Sequence, residues 1–261
     1  MSSARQSRDA QDLDLLSEIK ARLSGMDYSG ELVGSGPLLG GVYPLIDQAF
    51  VDRMGAKMRL FHATSSPSAF LSNSLFEDAF VDALNVSGHR RARASKDPTI
   101  EVGDVRLRQV GVGKTLMLSL KTVGTNDAKR RGIHLSKLME AAWINRCESR
   151  ADFCRHIKDR LVSKVMATTE ILVLRAFGRM GRGDGRIKYD LTRVPTSIFK
   201  ALENVEEEDI VDISIGSTGS AKIISVGGHK LPFEVAFYGS DGKITLRNVQ
   251  VFDTMARWSL G

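Results

Sequence analysis

Asp104, Ser119 and Lys121 are the residues whose types and spacing best fit a chemical role. They fall in two short stretches, EVGDVRLRQ and TLMLSLKTV, in which apolar and polar residues alternate and which are joined by a glycine-rich turn. Because strand side chains repeat every two residues, Ser119 and Lys121 are expected on one face and the alternating leucines on the other. If the two strands pair through the turn, Asp104 lies near both polar residues.

A carboxylate, a small polar residue and a lysine that converge at strand ends suit metal-assisted hydrolysis of a phosphodiester. The Asp104 carboxylate would bind a hard divalent cation, which polarises a phosphoryl oxygen and acidifies a bound water. Lys121 would orient that water or stabilise the developing negative charge. The alternative is structural: Asp104 at a strand bulge and Lys121 solvated on an amphipathic strand.

Glu77 is a further candidate metal ligand. It falls in a predicted helix over 75–84, which Asn73 or Ser74 would cap and whose apolar residues recur at helical spacing. Glu77 lies on the flank of that apolar face, where it could reach the same metal site. The alternative is a solvent-facing glutamate favoured by the helix dipole.

Basic charge concentrates around these stretches. Residues 1–88 carry seven Lys/Arg and eleven Asp/Glu, whereas residues 89–131 carry eleven Lys/Arg and four Asp/Glu. Clustered arginines and lysines suit phosphate contacts, and arginine also reads guanine in the major groove. Solvated surface loops are the alternative. The candidate DNA-binding residues are Arg90, Arg91, Arg93, Lys129, Arg130, Arg131, Arg179, Arg182, Arg186 and Lys188.

Composition narrows the class of protein. A chain of 261 residues with 42% hydrophobic content can bury a core as one or two compact units. Its two cysteines, at 147 and 154, form no CxxC or Cys/His pattern, which favours a reducing compartment. The polar N-terminal stretch predicts no signal peptide, and no apolar run approaches the length of a membrane span. A membrane partner is therefore not expected.

The remaining periodicity predicts helices early in the chain and strands late. Strands Ile210–Ile215, Ala221–Val226, Pro232–Tyr238 and Lys243–Phe252 would form a β-meander, with a tight turn at Asp241-Gly242. We expect two parts, an N-terminal helical region with the catalytic core over 1–170 and a β-rich recognition part over 171–261. The alternative is that both parts form one compact unit. Further helices are predicted at 12–23, 44–54, 135–143 and 152–166, and further strands at 170–177 and 187–194.

The order of a helix with Glu77, a strand with Asp104, a glycine turn, a strand with Ser119-Leu120-Lys121 and a helix from Leu135 resembles the PD-(D/E)XK nuclease superfamily, particularly type II restriction endonucleases. The resemblance implies an α/β (α+β) fold with a mixed central sheet flanked by helices. It also implies Mg²⁺ as cofactor, Asp104 as the first acid and Lys121 as the lysine. It covers about residues 74–145.

Two positions depart from the family pattern. Gly103 replaces the proline before the acid, and Ser119 replaces the second acid, so the second anionic ligand must come from elsewhere. Glu77 is the candidate for that ligand, and Glu101 is a less suitable one because it points away from its strand neighbours. Ser119 would contribute a neutral hydrogen bond.

The resemblance implies a magnesium-dependent, sequence-specific endonuclease that cleaves double-stranded DNA in the cytoplasm of a prokaryotic cell. The alternative is a non-catalytic nucleic-acid-binding or nucleoprotein-type module that uses the same basic loops. A hydrolase or transferase of another class has little support, because GxSxG, HExxH and paired Cys/His patterns are missing from the sequence. A homodimer is one of two alternatives for the oligomeric state. A two-fold-symmetric target usually implies a dimer, but the sequence pattern does not identify a dimer interface.

Overall fold

The computed structural model describes residues 2–33, 46–66, 69–86, 92–96, 105–109, 115–124, 132–179, 182–211 and 220–261. Within these ranges, only the backbone is described for residues 2–12, 86, 92–96, 107–109, 179 and 182–184. Asp104 and Glu101 lie outside the described residues, as do Arg90, Arg91, Lys129, Arg130 and Arg131.

A seven-stranded mixed sheet forms the larger layer, and its strands follow the order β1-β12-β7-β6-β4-β3-β2. All neighbours in it are antiparallel except β4 and β6, which run parallel. Its strands are β1 (Tyr28–Leu32), β2 (Ala92–Lys96), β3 (Val105–Gln109), β4 (Thr115–Val123), β6 (Glu170–Arg179), β7 (Arg182–Pro195) and β12 (Asp253–Leu260).

A five-stranded antiparallel sheet forms the second layer, in the order β5-β11-β10-β9-β8. The positive φ angles of Gly227 and Gly228 form its β9–β10 turn, and Gly242, also at positive φ, lies in the predicted turn before β11. Its strands are β5 (Ile133–Glu140), β8 (Ile210–Val211), β9 (Ser220–Val226), β10 (His229–Tyr238) and β11 (Lys243–Val249).

Helices cover both faces of the seven-stranded sheet. The α-helices are α1 (Ser2–Gly25), α2 (Gln48–Thr64), α3 (Asn73–Val86), α4 (Arg150–His156) and α5 (Ser163–Ala167). A π-helical turn, Ile157–Val162, joins α4 to α5, so the predicted helix over 152–166 is confirmed as one helical rod. Shorter 3₁₀ segments are Ala142–Arg146, Thr196–Asn204 and Glu207–Asp209.

Two apolar cores result, one on each face of the seven-stranded sheet. The first joins α2 and α3 to that sheet and contains Leu116, Leu118 and Leu120, none of which is exposed. The second joins the opposite face to the five-stranded sheet and to the helical rod, and contains Val123 and Val173. The mixed α+β class is therefore confirmed, and so is the predicted alternation of β4.

The helix predicted from Leu135 is wrong, because this segment is strand β5. Met139 pairs with Ile244, and Leu135 pairs with Leu246. Between these two pairs β5 therefore has two more residues than β11 and forms a bulge. Such a bulge breaks the two-residue alternation, and the buried positions then recur as they would in a helix. The expected helix after the lysine strand is consequently absent at this position.

The stretch 178–188, which contains the candidate DNA-binding residues Arg179, Arg182, Arg186 and Lys188 between two predicted strands, is mostly a β-hairpin rather than a loop. Strand β6 continues to Arg179 and β7 starts at Arg182, so only residues 180 and 181 lie between the two strands. Gly178 and Gly185 have φ angles of 76° and 73°, which accommodate the register shift in this hairpin.

The proposed division at residue 170 does not coincide with a division between the sheets. Strands β6, β7 and β12 extend the sheet that contains β3 and β4, whereas β5 from the N-terminal part belongs to the five-stranded sheet. Whether either part folds alone stays a prediction.

Candidate active site

Strand β4 positions Ser119 and Lys121 on the same face, as the alternation predicts. Ser119 has no exposed surface, whereas Lys121 is half-buried. Both pair with β6, Ser119 opposite Ile171 and Lys121 opposite Val173. Strand β6 pairs with this part of β4 along one side, so its polar side chains are held by a paired strand rather than by a loop.

The other edge of β4 changes partner in the middle of the strand. Among the described residues, pairing with β3 ends where Val105 lies opposite Leu118. Two residues later a side chain replaces the neighbouring strand: Asn73 Nδ2 donates to the Leu120 carbonyl at 3.2 Å, and the Thr122 amide donates to Asn73 Oδ1 at 2.7 Å. The Thr122 hydroxyl donates to the same oxygen at 3.1 Å.

Asn73 is the first residue of α3, so these bonds fix the start of that helix against β4. The capping role predicted for Asn73 or Ser74 falls instead to Ser72, whose hydroxyl accepts from the Leu75 amide at 3.4 Å. Glu77 follows Asn73 by four residues, which places it on the same side of α3 and one turn farther along. It is half-buried.

A cavity of about 480 Å³ adjoins this junction. Asn73, Lys121 and Thr122 line one side of it, and residues 135–140 of β5 line the other. Lys137 and Glu140 form an exposed ion pair within β5. The bulged part of β5, which was wrongly predicted as a helix, therefore forms one wall of this cavity. The half-buried Lys121 lies on the cavity's other side.

Strands β6, β7 and β12 carry a second polar group that the sequence reading missed. Arg175 is 8% exposed, donates to the Asp190 carboxylate at 2.8 Å, and stacks against Phe177 and Phe252. Burial lowers the pKa of Arg175, while Asp190 acts in the opposite direction. A single arginine within the apolar run EILVLRAF was the available signal.

A cavity of about 450 Å³ lies beside this pair on the same sheet. Its lining residues include Phe177, Lys188, Arg257 and Ser259. Ser259 Oγ is buried and has no hydrogen-bond partner in the described part of the chain. Glu31 and Asp190 also line this cavity, so its two cations are matched by two carboxylates. Its aromatic ring and its cations can contact a base or a phosphate.

The remaining predicted DNA-binding residues are placed only in part. Arg186 and Lys188 are exposed on β7, and Arg186 pairs with Asp27 at 3.0 Å. Arg93, Arg179 and Arg182 lie on β2, β6 and β7, where their backbone alone is described. The structure thus brings Lys121, Ser119 and the start of α3 together. Asp104 and the predicted basic clusters at 90–91 and 129–131 lie outside the described residues.

Among the described residues, no helix is both long and apolar enough to cross a bilayer. Comparison of the chain with protein-family models, with curated proteins and with solved structures gives no match.

Proposed function

We propose that this chain is a magnesium-dependent endonuclease that cleaves double-stranded DNA at specific sequences, with a variant PD-(D/E)XK active site. The observation that carries the proposal is the pairing of Val105 with Leu118. It brings the chain into β3 one residue after Asp104, beside the strand that holds Ser119 and Lys121. The proposal takes the acid from Asp104, the residue that precedes β3 in the sequence, and the amine from Lys121 of the adjacent strand β4.

In the proposed reaction Asp104 and Glu77 would hold Mg²⁺. The ion would polarise a phosphoryl oxygen of the substrate and acidify a water molecule. Lys121 holds the attacking water or stabilises the charge that develops on the phosphate. Its half-buried position favours this role, because a charge acts more strongly where little water surrounds it.

Ser119 cannot act as an anionic ligand, and its complete burial keeps it from a bulky substrate. In the proposal it supports Lys121 from within the sheet. The second acid therefore has to come from another element. Glu77 fits this role because Asn73, about one helical turn before Glu77 in α3, is hydrogen-bonded to β4.

DNA binding is assigned to the basic residues predicted from the sequence. Arg186 and Lys188 are both exposed on β7. Lys188 lines the cavity of about 450 Å³ together with Arg257. Phosphate contacts from such residues position a duplex, and the cavity offers polar groups for base contacts. A two-fold-symmetric target would require a homodimer, whereas a target without that symmetry would suit a monomer.

The test is incubation with plasmid DNA in the presence of Mg²⁺ or EDTA, followed by sequencing of the ends. We expect discrete fragments with Mg²⁺ only, and no cleavage by Lys121→Ala or Asp104→Ala although both still bind duplex DNA. Lys222→Ala is the matched control, because Lys222 is a half-buried strand lysine in the five-stranded sheet. Cleavage at the wild-type rate by either active-site variant would refute the assignment.

The second candidate is a non-catalytic nucleic-acid-binding module. The excess of basic residues in 89–131 favours it, because that excess needs no metal site. This module would bind nucleic acid equally well with Mg²⁺ or EDTA, without sequence preference, and with an affinity that falls steeply with salt. The same plasmid experiment separates the two candidates, since the module leaves the DNA intact.

A further inference from the structure

Cys147, Asp152 and His156 bring three different metal-binding groups to one point, on the side of the protein formed by the helical rod. One donor atom from each of the three side chains lies within 4.8 Å of the donor atoms of the other two. Cys147 is buried, and the other two are partly buried. These residues are separate in sequence from Asp104 and Lys121, and none of them lines the cavity beside Lys121.

The local fold holds the three residues in register. Cys147 follows the 3₁₀ segment Ala142–Arg146 directly, and its amide donates to the Ile144 carbonyl. Ser149 then caps α4 by accepting from the Asp152 amide at 3.1 Å. Asp152 and His156 are four residues apart on one helix and therefore face the same way. The thiol comes from the turn, and the other two groups come from the helix.

The separation between His156 and Asp152 fits two ligands of one ion better than a direct hydrogen bond. His156 Nε2 lies 3.7 Å from Asp152 Oδ1, which is too long for a hydrogen bond. Two ligands of a tetrahedral Zn²⁺ with bonds of about 2.0–2.1 Å lie roughly 3.3–3.4 Å apart. A shift of a few tenths of an ångström would allow both groups to bind one ion.

The existing partners of these groups are weak or exchangeable. The Cys147 thiol donates to the Trp143 carbonyl at 3.5 Å, a long contact with a weak donor. Asp152 also pairs with Arg155, whose side chain is 67% exposed and can turn into solvent. An ion would therefore displace one surface ion pair and one weak hydrogen bond.

Apolar and aromatic side chains surround the group. The His156 ring packs on Trp143 with 5.2 Å between the ring centroids, and Trp143 in turn contacts Phe153. A dry shell of this kind strengthens the attraction between a cation and its anionic ligands.

We propose that Cys147, Asp152 and His156 bind one zinc-class transition-metal ion, with three protein ligands and a fourth position open to water. A thiolate and an imidazole select Zn²⁺ or Co²⁺ over Mg²⁺, which prefers oxygen ligands. When the ion binds, the Cys147 S–H proton is released to solvent and a metal–sulfur bond forms. The ion ties the 3₁₀ segment to the helical rod, so its effect is stabilisation.

The experiment uses the full chain without a metal-binding tag. The protein is loaded with Zn²⁺ and dialysed, and the metal content is measured. Cobalt loading then reports the ligands, because thiolate coordination gives a charge-transfer band and tetrahedral Co²⁺ gives intense visible absorption. The variants are Cys147→Ala and His156→Gln. Cys154→Ala is the matched control, because Cys154 is also a buried free cysteine but lies outside the group.

We expect one Zn²⁺ per chain in the wild type and in Cys154→Ala, with a rise in the melting temperature on loading. Cys147→Ala should lose the charge-transfer band and bind Zn²⁺ at least about 100-fold more weakly. Loss of a residue that only hydrogen-bonds to a metal ligand weakens metal binding by about 10- to 100-fold, and loss of the ligand itself should cost at least as much. His156→Gln should weaken binding similarly and decides the matter if Cys147→Ala does not fold. Retention of less than stoichiometric Zn²⁺ by the wild type, or unchanged Co²⁺ spectra in His156→Gln, would overturn the proposal.

Discussion

Asn73 Oδ1 accepts a hydrogen bond of 2.7 Å from the backbone amide of Thr122, so the first residue of a helix completes the edge of a strand. The Asn73 side chain also donates to the Leu120 carbonyl, and it therefore mimics the backbone of a neighbouring strand. Lys121 lies between these two bonds. The position of this lysine along the sheet edge thus depends on a residue 48 positions earlier in the chain.

Replacement of Asn73 by alanine should destabilise the protein by about 1–3 kcal/mol, because it leaves the Leu120 carbonyl and the Thr122 amide without their partner. Asn73→Asp should cost less, since a carboxylate still accepts from Thr122 and is favoured in the first turn of α3. The free energy of unfolding, measured with urea, ranks the two variants. Equal stability of Asn73→Ala and the wild type would show that the bridge contributes nothing.

Replacement of Glu77 by glutamine should raise the Mg²⁺ concentration needed for half-maximal DNA cleavage, because it removes one negative ligand of the proposed metal. The matched control is Asp78→Asn, which removes the neighbouring exposed carboxylate of the same helix. Cleavage rates at increasing Mg²⁺ concentrations provide the measurement. Identical Mg²⁺ dependence of Glu77→Gln and Asp78→Asn would assign the second acid elsewhere.

Replacement of Lys188 by alanine should weaken DNA binding and lower the slope of log affinity against log salt by about 1, because one phosphate contact is lost. Lys200→Ala should leave that slope unchanged, since Lys200 is an exposed lysine of the 3₁₀ segment Thr196–Asn204, close in sequence to the acidic residues of 203–209. Binding is measured by fluorescence anisotropy at several salt concentrations. A wild-type slope for Lys188→Ala would remove β7 from the proposed interface.

His62 makes stability depend on pH. It is 4% exposed, its Nε2 lies 2.8 Å from the Tyr189 hydroxyl, and burial lowers its pKa from 6.5 to about 4. The unfolded chain therefore binds a proton below about pH 6.5 that the folded protein takes up only near pH 4. The stability that this group contributes is present above pH 6.5 and is lost as the pH falls through this window.

Between pH 6.5 and pH 5 the loss from His62 should be about 1.6 kcal/mol, because the unfolded histidine is half protonated at pH 6.5 and the slope approaches 1.36 kcal/mol per pH unit only below it. The test compares urea unfolding at the two pH values for the wild type and for His62→Gln. The variant should lose less stability than the wild type over this range. His229→Gln, which alters an exposed residue at the start of β10, should behave like the wild type. If His62→Gln keeps the full pH dependence, another group causes it.

The sequence predicted an element correctly where its hydrophobic periodicity had a single cause, the burial of one face by one neighbouring layer. The leucines of β4 alternate because a single helical layer covers their face, and the alternation placed Ser119 and Lys121 correctly on the other face. The strands of β6, β7 and the C-terminal meander were predicted for the same reason. Local periodicity identifies an element when burial on its two faces is uniform along its length.

Other features depended on contacts between distant residues. The β5 bulge changed the spacing of buried residues, and only pairing with β11 reveals it. Asn73 was read as a helix cap, because its bonds to Leu120 and Thr122 need the folded sheet. Arg175 was overlooked in an apolar run, since its partner Asp190 lies on the next strand. Asp104, on which the proposed chemistry depends, lies outside the described residues.

The pairing of β1 with β12 has a consequence for biosynthesis. Tyr28 lies opposite Leu260, and five successive residue pairs join these two strands. During translation the only described neighbour of β1 in the sheet is made more than two hundred residues after β1 itself. The nascent chain must therefore keep this strand unpaired, or protected by a chaperone, until β12 has been made, and removal of β12 would leave a permanently exposed, aggregation-prone edge.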